Sequence, residues 1–191
     1  RETFATSGPR ISVRFFAGTD YADDALTRTD ALEQAYAGGV PMGGELRSAA
    51  TSPAFLVWAN MDPRGTRLQR VQVIKVWSEQ GSAQEAIHDV ACSDGGVPDA
   101  ATRRCPANGA SVNLADCSVS AHGAASLSAA WRDPDFDPAQ HAVYYVRVLE
   151  NPSCRWSTWD AIRLGEQPPA GVVPTLQERA WSSPIWVSPH S

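Results

Sequence analysis

The densest group of chemically active side chains lies in the segment Asp133-Pro134-Asp135-Phe136-Asp137-Pro138. Carboxylates at alternate positions, here Asp133, Asp135 and Asp137, can converge on Ca²⁺ as they do at the start of an EF-hand loop. The segment departs from that loop, because its sixth position is Pro138 instead of glycine and its twelfth is Tyr144 instead of glutamate. We therefore interpret it as a double Asp-Pro turn whose carboxylates accept hydrogen bonds from nearby backbone N–H groups, and keep the three aspartates only as weak metal candidates.

The histidines and glycines show no local catalytic spacing. The four histidines stand at positions 88, 122, 141 and 190, and none belongs to an H-x-H or H-E-x-x-H pattern. The paired glycines at 38–39 and 43–44 are not followed by the Lys-Ser/Thr of a phosphate-binding loop. A self-contained metal enzyme would have to combine the aspartate segment with His141. We expect no catalytic residue, metal ligand or cofactor in this chain.

Seven tryptophans offer apolar surface for packing or for binding. Trp58, Trp77 and Trp131 lie within apolar strand patterns, and we predict that they belong to the core. The remaining four flank polar or loop residues: Trp156, Trp159, Trp181 and Trp186. Exposed tryptophans stack on sugars and peptides, so Trp156, Trp159 and Trp181 are candidates for ligand binding.

Four cysteines, Cys92, Cys105, Cys117 and Cys154, form no C-x-x-C pair. An even number without zinc-site spacing favours two disulfides over a metal site, although four buried free thiols remain an alternative. Three pairings are possible, and we favour Cys92–Cys105 together with Cys117–Cys154. Disulfides place the protein in the periplasm or outside the cell.

Charge and hydropathy exclude two classes of partner. The net charge of −5, from 16 basic and 21 acidic residues, supplies no surplus of cations for contact with nucleic-acid phosphates. The longest apolar run, residues 54–59, is far shorter than the roughly 20 residues that cross a bilayer. We therefore expect neither a nucleic-acid partner nor a membrane partner.

Alternating apolar residues and turn signals predict a mainly β domain. We predict strands over 10–16, 54–60, 67–77, 84–91, 126–131, 142–149 and 181–187. One short helix is expected between Thr29 and Gly38. A second is expected over 157–164, with Ser157 and Asp160 as a capping box, Trp156 and Ala161 as a hydrophobic staple, and Gly165 as its stop. Short strands at this spacing are typical of an antiparallel β-sandwich-like fold, here with two short helices and long disulfide-clamped loops.

Six ordered segments resemble one family of bacterial proteins, grouped as domain of unknown function 3604, in its C-terminal part. They are Ala5–Ile11, Gly38–Gly44, Trp131–Pro138, Tyr144–Glu150, Arg155–Thr158 and Gln177–Trp186. That family is similar to PHP-type (polymerase and histidinol phosphatase) metallohydrolases, including the carbaryl-hydrolase-like branch. The resemblance implies that a metal-binding α/β barrel precedes this chain and carries the divalent metal and its ligands.

From this resemblance we expect residues 1–10 to be the tail of the barrel and residues 11–191 to be a C-terminal accessory domain. Its partner would be the upstream barrel of the same protein, and Ser7, Arg10 and Met42 are candidates for contact with the catalytic cleft. The barrel-facing surface could also hold two copies together as a homodimer. A ligand-binding module for glycan or peptide is the alternative, and a stand-alone metal-binding domain is the third hypothesis.

Overall fold

The computed structural model describes residues 1–22, 24–47 and 51–189. The strands are β1 (Phe4–Thr6), β2 (Ser12–Gly18), β3 (Val40–Pro41), β4 (Glu45–Arg47), β5 (Ala54–Asn60), β6 (Leu68–Glu79), β7 (Ser82–Cys92), β8 (Ser126–Arg132), β9 (Ala142–Glu150), β10 (Ser153–Cys154), β11 (Thr175–Leu176), β12 (Arg179–Ser182) and β13 (Ile185–Ser188). The helices are α1 (Ala31–Ala37) and α2 (Trp156–Leu164). His190 lies outside the described residues.

The larger sheet is built around β9. On one side β9 pairs with β6, which pairs in turn with β7. On the other side it pairs with both β12 and β13, which follow one another along the same edge. The break between them falls at Ser183-Pro184, because proline has no N–H to donate to the ladder. Strands β1 and β4 complete the sheet, and only the β13–β4 pair is parallel.

The smaller sheet has the order β3-β2-β5-β8 and is antiparallel throughout. Its inner face packs on the inner face of the larger sheet, as the side-chain alternation of each strand requires. The resulting core contains Val13, Phe15, Phe55, Val57, Val71, Val73, Tyr144, Val146 and Val148, among others. This confirms the expected mainly β, antiparallel fold with two helices.

A second apolar cluster lies on the outer face of the smaller sheet. Phe16 and Leu56 pack there against Tyr21, Ala25 and Ala35, so α1 and the segment before it cover this face. The hydroxyl of Tyr21 donates to the carbonyl of Ala35 at 2.7 Å, and burial raises the pKa of Tyr21. Helix α1 runs from Ala31 to Ala37 with Asp30 at its N-cap position, within the range predicted between Thr29 and Gly38.

Two disulfides fix the long loops, in the pairing that the sequence favoured. Cys92–Cys105 spans 13 residues, and Cys117–Cys154 spans 37 residues. The second joins the loop between β7 and β8 to β10, immediately before α2. The structure therefore has the expected disulfide-clamped loops.

Helix α2 lies where it was predicted, but its start differs. It begins at Trp156 after the extended residue Arg155, and no side chain caps it. Ser157 and Thr158 are buried instead, and the Thr158 hydroxyl donates to the carbonyl of Pro174 at 2.7 Å. The capping box at Ser157 is therefore wrong, and Trp156, which is 71% exposed, forms no staple. Gly165 ends the helix in the left-handed conformation, as predicted.

The first ten residues belong to the same fold as the rest. Strand β1 pairs with β12, and the N–H of Ser183 donates to the carbonyl of Thr3 at 2.8 Å. Gly43 has a φ of +84° and lies so close to Arg1 that an added Cβ would collide with its backbone. Residues 1–10 are therefore joined to the larger sheet, and the domain boundary expected at residue 10 stays a prediction. None of its described helices is long and apolar enough to span a membrane.

Candidate functional site

A network of charged and polar side chains lies where β6, β7 and β8 meet, and it is buried except at Arg103 and Asp135. We call it the Lys75 cluster: Lys75, His88, Arg103, Asp133, Asp135 and Tyr144. The Lys75 ammonium is 2.7 Å from Oδ2 of Asp133, and both side chains are almost completely buried. The Tyr144 hydroxyl donates to the same oxygen at 2.7 Å. Lys75 also donates to the backbone carbonyl of Asp135 at 2.9 Å.

The cluster keeps Asp133 ionised inside the protein. Burial alone would raise the pKa of Asp133, but hydrogen bonds from Lys75 and Tyr144 hold it below its usual range. Burial and the charge on Asp133 in turn raise the pKa of Tyr144. A buried charge without a partner destabilises the folded state. Lys75 and Tyr144 therefore stabilise the Asp133 carboxylate, and the carboxylate in turn stabilises the buried Lys75 ammonium.

The double Asp-Pro turn is confirmed. Oδ1 of Asp133 accepts from the N–H of Asp135 at 2.9 Å, and Oδ1 of Asp137 accepts from the N–H of Ala139 at 2.9 Å. The buried ion pair with Lys75 was not predicted. Its signal in the sequence was a lysine inside the run Val73–Trp77, whose other four residues are apolar.

Three potential metal ligands approach one another in this cluster. The closest ligand atoms of His88, Asp133 and Asp135 all lie within 4.8 Å; Asp137 and His141, named from the sequence, are not among them. Each of the two carboxylates already has a cationic partner, since Asp133 pairs with Lys75 and Asp135 pairs with Arg103 at 2.6 Å.

The groups around His88 also make binding of a cation unfavourable. Burial, followed by the charge on Arg103, lowers the pKa of His88, and its ring packs against Trp131 with the ring centroids 4.9 Å apart. A divalent metal would have to displace or repel two cations in this cluster. We therefore interpret the cluster as structural.

The outer face of the larger sheet carries apolar side chains over which none of the described helices packs. We call it the open face, formed by Val76, Ile87, Val143, Tyr145 and Trp186. Helix α1 packs on the smaller sheet, and within the described residues α2 makes no substantial contact with the strands of the larger one. The open face is thus one candidate surface for contact with another molecule, and further exposed apolar side chains, such as Trp156 and Leu164, lie on α2.

Strand register shows why these side chains form one surface. Val76 pairs with Val143, and Val143 pairs with Trp186, so the three stand side by side on adjacent strands. The next row on the same face holds Ile87 and Tyr145 on either side of the buried Ile74. Trp186 is 40% exposed, and burial raises the pKa of the Tyr145 hydroxyl.

A depression of about 420 Å³ lies at one end of the open face, beside the β6–β7 turn. Its lining includes Val76, Val143 and Trp186, with Ser78, His141 and Ser188 around them. No sequence pattern identified it, because its residues come from four strands and meet only through the register of the sheet.

The tryptophans named as ligand candidates do not form one platform. Trp156 and Trp159 lie on α2 and are 71% and 40% exposed, whereas Trp181 is half-buried in β12 of the larger sheet. The guanidinium of Arg163 lies 5.8 Å from the Trp159 ring.

The tryptophans assigned to the core are only partly buried. Trp77 and Trp131 pack against the main core, and Trp58 packs against the second cluster.

The three cleft candidates are dispersed as well. Ser7 bonds to the Glu178 carboxylate and to the N–H of Arg179, and the N–H of Arg10 donates to Asp62 at 2.7 Å. Met42 is 3% exposed in the main core. Its side chain is therefore not available for the cleft contact that we predicted, because it fills space between the sheets.

Comparison with known proteins gives a family without a function. No curated protein and no solved structure matches the chain. The sequence model of the family described as "Protein of unknown function (DUF3604)" matches residues 1–189. Because the match covers nearly the whole sequence, the chain belongs to the DUF3604 family.

Proposed function

We propose that this chain is a non-catalytic accessory domain of an exported, metal-dependent hydrolase, and that its open face packs against the catalytic barrel of the same protein. The observation that carries the proposal is the apolar row Val76–Val143–Trp186, which crosses three adjacent strands with the two valines half-buried and Trp186 40% exposed, and over which no described helix packs. Contiguous exposed apolar surface of this kind is typical of a contact site between proteins or domains.

The ion pairs around the potential metal ligands of the described residues are consistent with a non-catalytic, accessory role for this chain. Within the described part of the chain, the cluster of histidine and aspartate that could hold a metal already has Lys75 and Arg103 paired with its two carboxylates. The resemblance to PHP-type metallohydrolases would place the metal and its ligands in a preceding barrel. Two disulfides are consistent with an extracellular or periplasmic location.

A charge on the open face should separate the two domains. In the natural full-length protein, Tyr145→Glu places a carboxylate in the centre of the proposed contact, where it would be desolvated. We expect calorimetry to show the domains unfolding in separate transitions, with that of the accessory domain at lower temperature. Leu164→Glu is the control, because Leu164 is 69% exposed at the end of α2, away from the sheet.

The proposal fails if Tyr145→Glu leaves the coupled unfolding of the full-length protein as it is in the control. Self-association is a second use of the same surface. A chain that light scattering shows to be a stable dimer, and that Tyr145→Glu converts to a monomer, would assign the open face to a second copy instead.

A further inference from the structure

We propose that the depression at the end of the open face binds a small ligand by stacking a flat apolar ring on Trp186. Its volume of about 420 Å³ falls in the range of about 300–1,000 Å³ that is typical of small-molecule sites. Because Trp186 also belongs to the surface proposed to face the barrel, ligand and barrel would compete for it. The inference goes beyond domain packing, because it rests on the concave shape and lining of this one region and concerns the chain when the barrel does not cover it.

The depression has an aliphatic floor and one aromatic wall. Val76 and Val143 are direct neighbours on β6 and β9 and point to the open face. Trp186 stands beside Val143 on β13, and its partial exposure leaves ring surface free for a ligand. Trp77 also borders the depression, but alternation along β6 directs its ring to the other face, where Lys75 lies 5.3 Å from its centroid.

Few polar side chains surround this floor, which limits the chemistry of the ligand. They are Ser78, His141 and Ser188. The Ser188 hydroxyl already donates to Glu45 at 3.1 Å, whereas His141 makes no side-chain hydrogen bond to the described part of the chain. A ring that enters can thus gain hydrogen bonds chiefly from His141 and Ser78.

This count of polar groups favours an aromatic ring over a sugar. A pyranose carries several hydroxyls, and each one that loses water without a new partner weakens binding. An aryl ring with a single hydroxyl or N–H buries its apolar faces against Trp186 and the valines and needs only one polar partner. The ligand class that we assign is therefore a small aryl compound with one hydrogen-bonding edge.

The test uses the purified chain with indole and phenol as probes, and methyl β-glucoside for comparison. Nitrogen-edited NMR follows the backbone amides of β6, β9 and β13 and the indole N–H of Trp186 during each titration. We expect shifts confined to the depression with indole and phenol, and weaker binding of the glucoside. Trp186→Ala should weaken indole binding about tenfold, and His141→Ala should weaken phenol binding.

Trp156→Ala is the matched control, since it removes an exposed tryptophan from α2 and should leave binding unchanged. Indole shifts that persist in Trp186→Ala, or tighter binding of the glucoside than of either aryl probe, would overturn the inference. The test uses the chain alone, so a failure of the probes to bind would not argue against packing of the open face on a barrel. Binding of the probes would not depend on that packing either.

Discussion

Replacing Glu150 by glutamine should change how the stability of this protein depends on pH. Glu150 ends β9 and is 2% exposed. Its Oε2 accepts from the Thr66 hydroxyl at 2.9 Å, while Oε1 has no hydrogen-bond partner among the described residues. That oxygen faces Gly65, where an added Cβ would lie 2.7 Å from it. Burial is the main cause that raises the pKa of Glu150 from 4.5 to about 6.

The sign and size of the effect follow from this shift. A carboxyl whose pKa is raised on folding binds its proton more tightly in the folded state, so the stability it contributes is present below the unfolded pKa. This contribution is lost as the pH rises through about 6. At about 1.4 kcal/mol per pKa unit, the loss is about 2 kcal/mol between pH 4.5 and neutral pH. The glutamine of the Glu150→Gln variant cannot ionise, so the variant should not lose stability from this cause between pH 4.5 and neutral pH.

Urea unfolding, followed by tryptophan fluorescence with the disulfides intact, measures this directly. The difference in unfolding free energy between Glu150→Gln and the natural sequence should shift by about 2 kcal/mol in favour of the variant from about pH 4 to about pH 8. If burying the glutamine amide lowers the unfolding free energy by the same amount at every pH, this change between pH 4 and pH 8 is unaffected. Glu79→Gln, at the exposed end of β6, should leave the pH profile unchanged. Parallel profiles for Glu150→Gln and the natural sequence would refute the reasoning.

Three further predictions concern the Lys75 cluster and the disulfides. Asp133→Ala leaves Lys75 buried without its counter-charge and should lower the unfolding free energy by about 3–5 kcal/mol, measured with urea. The double variant Lys75→Met/Asp133→Ala should recover part of this loss, and an equal or larger loss would contradict the coupling. Removing the Cys117–Cys154 disulfide, which spans 37 residues, should cost about 4 kcal/mol by chain entropy. A loss below about 1 kcal/mol for the paired serine variant would contradict that. Calorimetric titration with Zn²⁺ or Ca²⁺ should show no site that His88→Ala removes, because two cations already pair with the carboxylates; a stoichiometric, His88-dependent site would show that the cluster binds metal.

The sequence predicted the features that depend on local pattern. Period-2 alternation in 142–149 and the apolar run at 54–60 identified β9 and β5, since side-chain periodicity is a local property of a strand. The same holds for Gly165, which ends α2 by adopting a left-handed conformation. Cysteine number and spacing favoured two disulfides, and the pairing that we favoured among the three possible ones is the pairing that the structure has.

Features that depend on the register between strands could not be predicted from the sequence. The pairing of Lys75 with Asp133 joins residues 58 positions apart through the contact of β6 with the turn after β8. Likewise, Val76, Val143 and Trp186 become one surface only through the order β6-β9-β13. Met42 was named as a cleft candidate from the family resemblance, and the sequence pattern around it did not show that its side chain enters the core between the two sheets.

The proposed packing predicts that the open face is covered in a protein that contains both the barrel and this chain. Hydroxyl-radical footprinting compares the oxidation rates of Trp186 and Tyr145 in the full-length protein with those in this chain alone. We predict strong protection of both residues in the full-length protein, while Trp156, exposed on α2, reacts at similar rates in both samples. Equal oxidation of Trp186 and Tyr145 in the two samples would contradict the account.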